Sequence, residues 1–418
     1  MPLTLSEKIL SNATGRRVSP GEIVIVNVDY VYAHDGTAPL AIQVLTEELK
    51  CERVFNPSKV LFVIDHASPS PRVENSKLHM LMREFARKHG IKLYDVGYGI
   101  CHQVVIDECI VKPGMVIVGA DSHTTTLGAL GAFATGIGST DTAIAILTGK
   151  VWLRVPESIR IVLEGDIPNY ITGKDIILYI IGFMGADGAV YKAVEFQGSS
   201  LKQLGIDDRL TISNMTVEMG AKVGLFPVDN VTVKFYEDRG VKVKRLEPDS
   251  KAEYVDEVIV DLSTLEPQIA IPPNIDNVKS VSEVEGVEVD QVFIGSCTNG
   301  RLSDLEIVAK IMKDRRVKEG VRCIVIPASR RIYLQALRKG IIEILLRAGC
   351  IICPPTCGPC VGAHMGLLGP GEVAVSTSNR NFPGRMGDKS SKVYIASPLV
   401  AAVSAVEGRI CDPRSYLR

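Results

Sequence analysis

The chain has 418 residues, enough for two to four domains at roughly 100–200 residues each. Hydrophobic residues make up 46% and charged residues 23%, which excludes a disordered chain. The net charge of -1 gives no global pull toward nucleic acid or an anionic membrane, so an anionic substrate must be met by locally placed arginines.

The opening, MPLTLSEKILSNATGRRVSP, holds no apolar signal core, and no apolar run in the chain reaches about 18–20 residues. Neither export nor a membrane span is expected, and a cytoplasmic location is. SEKILSNA reads as a helix capped at Thr4 and Ser6. KVLFVID (59–65) and GMVIVGAD (114–121) read as buried strands ending in polar residues. Between them ENSKLHMLMREFARKHG has helical spacing and closes on Gly90. Strand, helix, strand in that order predicts a parallel α/β layer. From about 156, SIRIVLEGDIP and VEFQG read as strands, and GKDIILYIIGFMG and ISNMTVEMGAKVG as helices. The Pro-rich stretch LEPQIAIPPNIDNVKSVSEV (265–284) reads as a linker. A last block begins with VDQVFIGSC, continues with DLEIVAKIMKD, RCIVIPAS and YLQALRKGIIEILLRAG as helix, strand, helix, and ends with KVYIASPLVAAVSAVEGRI. Three domains are expected, at 1–155, 156–268 and 269–418.

In open α/β sheets function gathers at the carboxyl ends of strands. There the sequence sets its unusual residues: Asp65-His66, Asp121-Ser122-His123, and Gly295-Ser296-Cys297-Thr298-Asn299.

Ten cysteines without an export signal point to reduced thiols or metal ligands. Four of them, in CIICPPTCGPC, have the spacing C-x2-C-x3-C-x2-C, which alone fits a zinc knuckle or part of an iron–sulfur run. Cys350 and Cys353 lie in an apolar run and also read as small buried hydrophobes. Cys357 and Cys360 flank a Gly-Pro turn that lets a bound group approach closely. Cys297 follows an apolar strand at the start of a helix, where a thiolate is favoured.

HDGT, the Asp-His pair in VIDHA, GICHQ, GADSHTTTLGALGAFATGIGS, VEF, GSCTNGRLSDL, CGPCVG and STSNRNFPGR, in that order, resemble the aconitase family over about residues 5–410. Each fragment is weak alone; the ordered set is specific. The resemblance implies an aconitase-like three-domain α/β/α architecture around a central iron–sulfur cleft, lacking the swivel domain. It implies a [4Fe–4S] cluster held by Cys297, Cys357 and Cys360, with one iron left free of protein ligands. Cys350 and Cys353 then hold no iron. Asn299 and Asn379 would support the cluster sulfurs.

The family reaction is a stereospecific dehydration and rehydration of a hydroxy-polycarboxylate. The resemblance makes His66 the general acid to the leaving hydroxyl, with Asp65 orienting it. Asp121 and His123 would organise the bound water, with His102 and Glu195 nearby. Ser122, Arg380 and Arg385 would hold substrate carboxylates, the arginines through paired hydrogen bonds. His34, where aconitases proper carry glutamine, would join them. His79 and His89 are expected to be structural.

The family's swivel domain, with the base serine and further arginines, is expected to have no counterpart in this chain, whose matched motifs end near residue 410 before CDPRSYLR. A separate small subunit is therefore expected to supply it, in a heterodimer or heterotetramer. The substrate is expected to be 3-isopropylmalate or, with an acidic branch instead of an apolar one, a homocitrate-type acid. The preference for isopropylmalate rests on how frequent that pathway is and on no residue. A zinc-knuckle binding protein is the competing reading; an RNA-binding role has no basic patch behind it.

Overall fold

The computed structural model describes residues 2–417. Its strands, in chain order, are β1 (Ile23–Asn27), β2 (Tyr30–His34), β3 (Val60–Val63), β4 (Lys92–Tyr94), β5 (Val116–Gly119), β6 (Phe133–Gly136) and β7 (Lys150–Arg154). There follow β8 (Ser158–Glu164), β9 (Ala193–Gln197), β10 (Val223–Leu225) and β11 (Asp256–Asp261). The last are β12 (Gln268–Ala270), β13 (Val278–Ser280), β14 (Gln291–Ile294), β15 (Arg322–Val325), β16 (Ile351–Ile352), β17 (Val373–Ser376) and β18 (Lys392–Ala396).

They form a five-stranded sheet β4-β3-β2-β5-β6, a four-stranded sheet β10-β9-β8-β11, a seven-stranded sheet β13-β12-β18-β17-β14-β15-β16, and a ribbon β1-β7. The five- and four-stranded sheets are parallel throughout. Parallel sheets need cover on both faces, and VLFV in β3 and VIVG in β5 are buried at every position.

The first helix runs Leu5–Thr14 from Thr4, which forms a capping box with Glu7. Helix Val73–His89 closes on Gly90 in the left-handed conformation, as its sequence predicts.

Two readings from the sequence need correction. The segment 265–284 is not a linker: Gln268–Ala270 is buried and pairs antiparallel with both β13 and β18. Its prolines avoid the strands: Pro267 precedes β12, and Pro272 and Pro273 fall between β12 and β13, where no ladder hydrogen bond is needed. YLQALRKGIIEILLRAG is not one helix but two, Arg330–Arg338 and Ile341–Arg347, because Gly340 at φ 73° turns the chain.

Candidate active site

Three adjacent strands of the first sheet end at one place. His34 closes β2, Asp65 and His66 follow β3, and Asp121, Ser122 and His123 follow β5. From the seven-stranded sheet, Cys297 follows β14, Asn379 and Arg380 follow β17, and Cys357 and Cys360 lie beyond β16. These two sets of strand ends face one cavity of about 350 Å³. Its walls include His34, His66, His102, Asp121, Cys297 and Arg380.

On the first side the ionisable groups are tightly bonded. The His34 and His66 rings stack at 3.6 Å between centroids. His66 Nδ1 meets Asp65 Oδ1 at 2.8 Å, and the other Asp65 oxygen accepts the Cys101 N–H at 2.6 Å. Asp65 is wholly buried behind His66. Burial disfavours a charged His66, but Cys357 and Asp65 outweigh it and hold its pKa well above the usual histidine range. That nitrogen pairing leaves Nε2 toward the cavity, 3.7 Å from Asp121 Oδ2.

Asp121 is the hub. It meets His34 Nε2 at 3.3 Å and His102 Nε2 at 3.0 Å, and accepts the His123 backbone N–H at 2.7 Å. Burial would raise its carboxyl; these histidines override that and hold it well below the ordinary range. His102, on helix Cys101–Asp107, is fixed from behind by the Tyr32 hydroxyl at 2.7 Å. Burial lowers its pKa.

The sulfur side is sparsely bonded. Cys297 Sγ accepts from Asn214 Nδ2 at 3.2 Å and lies 3.6 Å from Asn379 Nδ2. Cys360 Sγ lies 3.9 Å from Asn379 Oδ1 and 3.9 Å from Arg385 Nη2. Cys357 Sγ is 3.8 Å from His66 Nδ1. All three are buried, and burial pushes the Cys297 thiol up to about 12. The turn that presents Cys297 puts Ser296 at φ 70°, a conformation non-glycine residues rarely adopt. Arg380 Nη2 donates to Ser122 Oγ at 3.0 Å, while the buried Nε of Arg385 has no partner among the described residues.

Two residues singled out in the sequence lie elsewhere. Glu195, on β9, does not line the cavity. Its carboxylate accepts the Leu5 and Ser6 N–H groups at 3.0 and 2.8 Å and the Tyr254 hydroxyl at 3.1 Å, so it caps the first helix. Glu218, just beyond helix Ile206–Met215, stands behind the cavity wall instead: it meets His123 Nε2 at 2.8 Å and Arg380 Nε at 3.0 Å. Asn299 touches no sulfur; its amide donates to Asp304 and Thr211, and Asn214 takes the place at Cys297. An acid or amide on a helix carries no signal in ISNMTVEMG that would mark Glu218 or Asn214.

The four clustered cysteines do not converge either. Cys350 Sγ packs on Cys323 Sγ at 3.5 Å, outside the cavity. A four-thiolate knuckle is thereby excluded. Among the described residues, one group of His, Cys, Asp and Glu brings ligand atoms within 4.8 Å of one another and could hold a metal ion: His34, Asp35, Asp65 and His66. Within it Asp35 accepts the backbone N–H groups of Asp65, His66 and Ala67, and meets His79 at 3.1 Å.

A sequence model of the Aconitase family (aconitate hydratase) matches residues 7–408. The 3-isopropylmalate dehydratase large subunit 1 of Methanopyrus kandleri is 51% identical, covering 100% of both chains. The probable methanogen homoaconitase large subunit of Methanothermobacter thermautotrophicus is 48% identical, over 99% of this chain and 98% of that one. The aconitase X structure of Thermococcus kodakaraensis shares the fold at 14% identity, with a TM-score of 0.50 over 91% of this chain and 93% of that one. The chain belongs to the aconitase family.

Proposed function

We propose that this chain is the cluster-bearing large subunit of a 3-isopropylmalate dehydratase, a hydro-lyase that interconverts 2- and 3-isopropylmalate by dehydration and rehydration. The observation that carries it is the cavity itself: three buried thiols from two loops face a histidine–aspartate network and two arginines. A buried thiol with few hydrogen bonds fits a site where a metal replaces the proton. Cys297, Cys357 and Cys360 would hold a [4Fe–4S] cluster, with Asn214 and Asn379 donating toward sulfur. When bound, such a cluster supplies a Lewis acid to substrate oxygen.

The chain's own residues do the rest. His66, whose charged form Asp65 and Cys357 favour, would hold its proton at Nε2, facing the substrate space, and pass it to a leaving hydroxyl. Asp65 locks the ring through Nδ1. Asp121 aligns His34 and His102 around the same space. Arg385, with its unpartnered Nε, and Arg380, braced by Glu218, clamp carboxylates, and Ser122 adds a hydroxyl.

The reading extends to the assembly. A small partner subunit supplies the base and part of the substrate pocket, as the names of the "large subunit" relatives suggest. Ten unpaired cysteines fit a reducing, cytoplasmic compartment. We place domains at 1–155, 156–268 and 269–418: the five- and four-stranded sheets draw strands from 30–136 and 158–261, while the seven-stranded sheet begins with β12 at Gln268, at the edge of the last boundary.

The homoaconitase reading has the 48% identical relative in its favour. One experiment tests both: anaerobic loading with iron and sulfide, addition of the small subunit, and assay on isopropylmalate and homocitrate-type substrates. Turnover of isopropylmalate only with the partner present is expected. Homocitrate-type turnover alone would move the assignment to homoaconitase, and a colourless zinc-bound chain would sink both.

A further inference from the structure

Arg301 is among the most deeply buried large side chains, at 2% exposure. A buried guanidinium is normally met by a carboxylate. This one has no ion pair among the described residues. It spends its donors on carbonyls and neutral groups from three elements. Nη2 donates to the Cys297 carbonyl and Nη1 to the Thr298 carbonyl, both at 2.6 Å. Nη1 also reaches Thr211 Oγ1 at 3.2 Å, on the helix that carries Asn214. Nε reaches Gln103 Oε1 at 3.2 Å, next to His102. Gln103 in turn donates to Asp107 Oδ1 at 2.8 Å, so the helix bearing His102 is held along its length.

We propose that Arg301 is a positioning residue: a single rigid guanidinium fixes the Cys297 turn against the His102 helix and sets the distance between metal ligand and proton network. The inference rests on Cys297 being a ligand and His102 part of the reacting network. The planar fork matters because lysine offers one point charge and cannot reach carbonyl, hydroxyl and amide at once. Nothing else described bonds to both Cys297 carbonyl and the His102 helix. Ser296, at positive φ, belongs to a turn that needs holding.

The test uses the full chain, cluster-loaded anaerobically and assembled with its partner subunit. Turnover is expressed per cluster, which a mere loss of folded protein does not change. For Arg301→Lys, kcat per cluster is expected to fall about 10- to 100-fold, as for a reacting geometry displaced by about 1 Å. KM is expected to stay within about threefold, and the cluster band to bleach in air several times faster. Gln103→Leu cuts only the His102 end. It is expected to lower kcat per cluster about 3- to 10-fold with wild-type bleaching, and the double variant to be no worse than Arg301→Lys. If Arg301→Lys does not fold, Gln103→Leu carries the test alone. Variants with kcat per cluster within twofold of wild type, or strictly multiplicative losses, overturn the proposal while leaving the cluster reading intact. A wild-type chain that takes up no iron and sulfide overturns the ligand assignment first, and this proposal with it.

Discussion

The two walls of the cavity are built on opposite principles. The wall from the five-stranded sheet is complete by itself: Asp35, Asp65 and Asp121 between them have their oxygens engaged by backbone N–H groups or imidazoles. The wall from the seven-stranded sheet presents three buried thiols with long, sparse contacts and an arginine nitrogen with none. Buried polar groups are rarely left unsatisfied without reason. One wall is therefore internally satisfied, and the other leaves sulfur and nitrogen groups open toward the cavity; under the proposed function the first is the proton network and the second is completed by a metal group and an anion.

The largest effect comes from breaking the second wall. Cys357→Ser is expected to cut bound iron to a small fraction and abolish turnover, because it leaves two thiolates and a hard, weakly acidic hydroxyl where the proposed site needs three soft thiolates. Iron and sulfide analysis checks it; full iron content in Cys357→Ser would mean that the thiol is a bystander. Breaking the first wall has a different signature. His66→Asn is expected to lower kcat about 10²- to 10⁴-fold, the usual weight of a general acid, while iron content and the visible band stay unchanged. A loss of iron in His66→Asn would merge the two walls into one metal site built on His34, Asp35, Asp65 and His66.

The first wall was the more legible of the two in the sequence. These polar groups sit two to four residues past an apolar strand, and the strand-end rule brings Asp65, His66, Asp121, Ser122 and His123 together without any contact being known; His34, the last residue of β2, entered through the family resemblance. In the second wall the strand-end rule marks Cys297, but choosing Cys357 and Cys360 over Cys350 and Cys353, which share their spacing, needed the family resemblance, and packing then separates the pairs. Glu195 and Glu218 show where sequence reasoning ran out. Both are buried acids in the middle segment, and their partners come from far along the chain: Leu5 and Ser6 for one, His123 and Arg380 for the other. Burial and long-range pairing leave no mark at a single position. The hairpin of β12 and β13 was hidden for a related reason, because a Pro-rich connection masks two three-residue strands.

That pair of glutamates sharpens the comparison. Burial alone would raise the Glu218 carboxyl, but His123 and Arg380 outweigh it and hold its pKa below the ordinary 4.5. A depressed carboxylate contributes stability that is present above its unfolded value and is lost as pH falls through the folded value. Glu218→Gln is expected to flatten the loss of stability below about pH 4.5 and to lower kcat about 10- to 100-fold, by freeing His123 and Arg380. Glu195→Gln is expected to cost about 1–2 kcal/mol through the weakened cap of the first helix, with kcat and iron content kept. Urea denaturation across pH 3–7, alongside activity, separates them. Activity lost in Glu195→Gln and kept in Glu218→Gln would reverse the assignment made from geometry.

The smallest effect concerns the cysteines that look most like ligands. Cys350 sits across from Cys323 on the neighbouring strand, continuing the parallel register that pairs Ile324 with Ile351. Cys350 is 5% exposed and lies within an apolar cluster. Cys350→Ser places a hydroxyl there and is expected to cost about 1–2 kcal/mol by burying a poorly matched polar group. Cys353 is half-buried, so Cys353→Ser is expected to cost less than about 0.5 kcal/mol. Neither change removes a sulfur from the cavity, so iron per chain and kcat per cluster are expected to match wild type, even in the double variant. Chemical denaturation with iron analysis decides it. A drop in iron would show that the second wall draws sulfur from beyond the cavity and that its spacing, not its packing, selects the ligands.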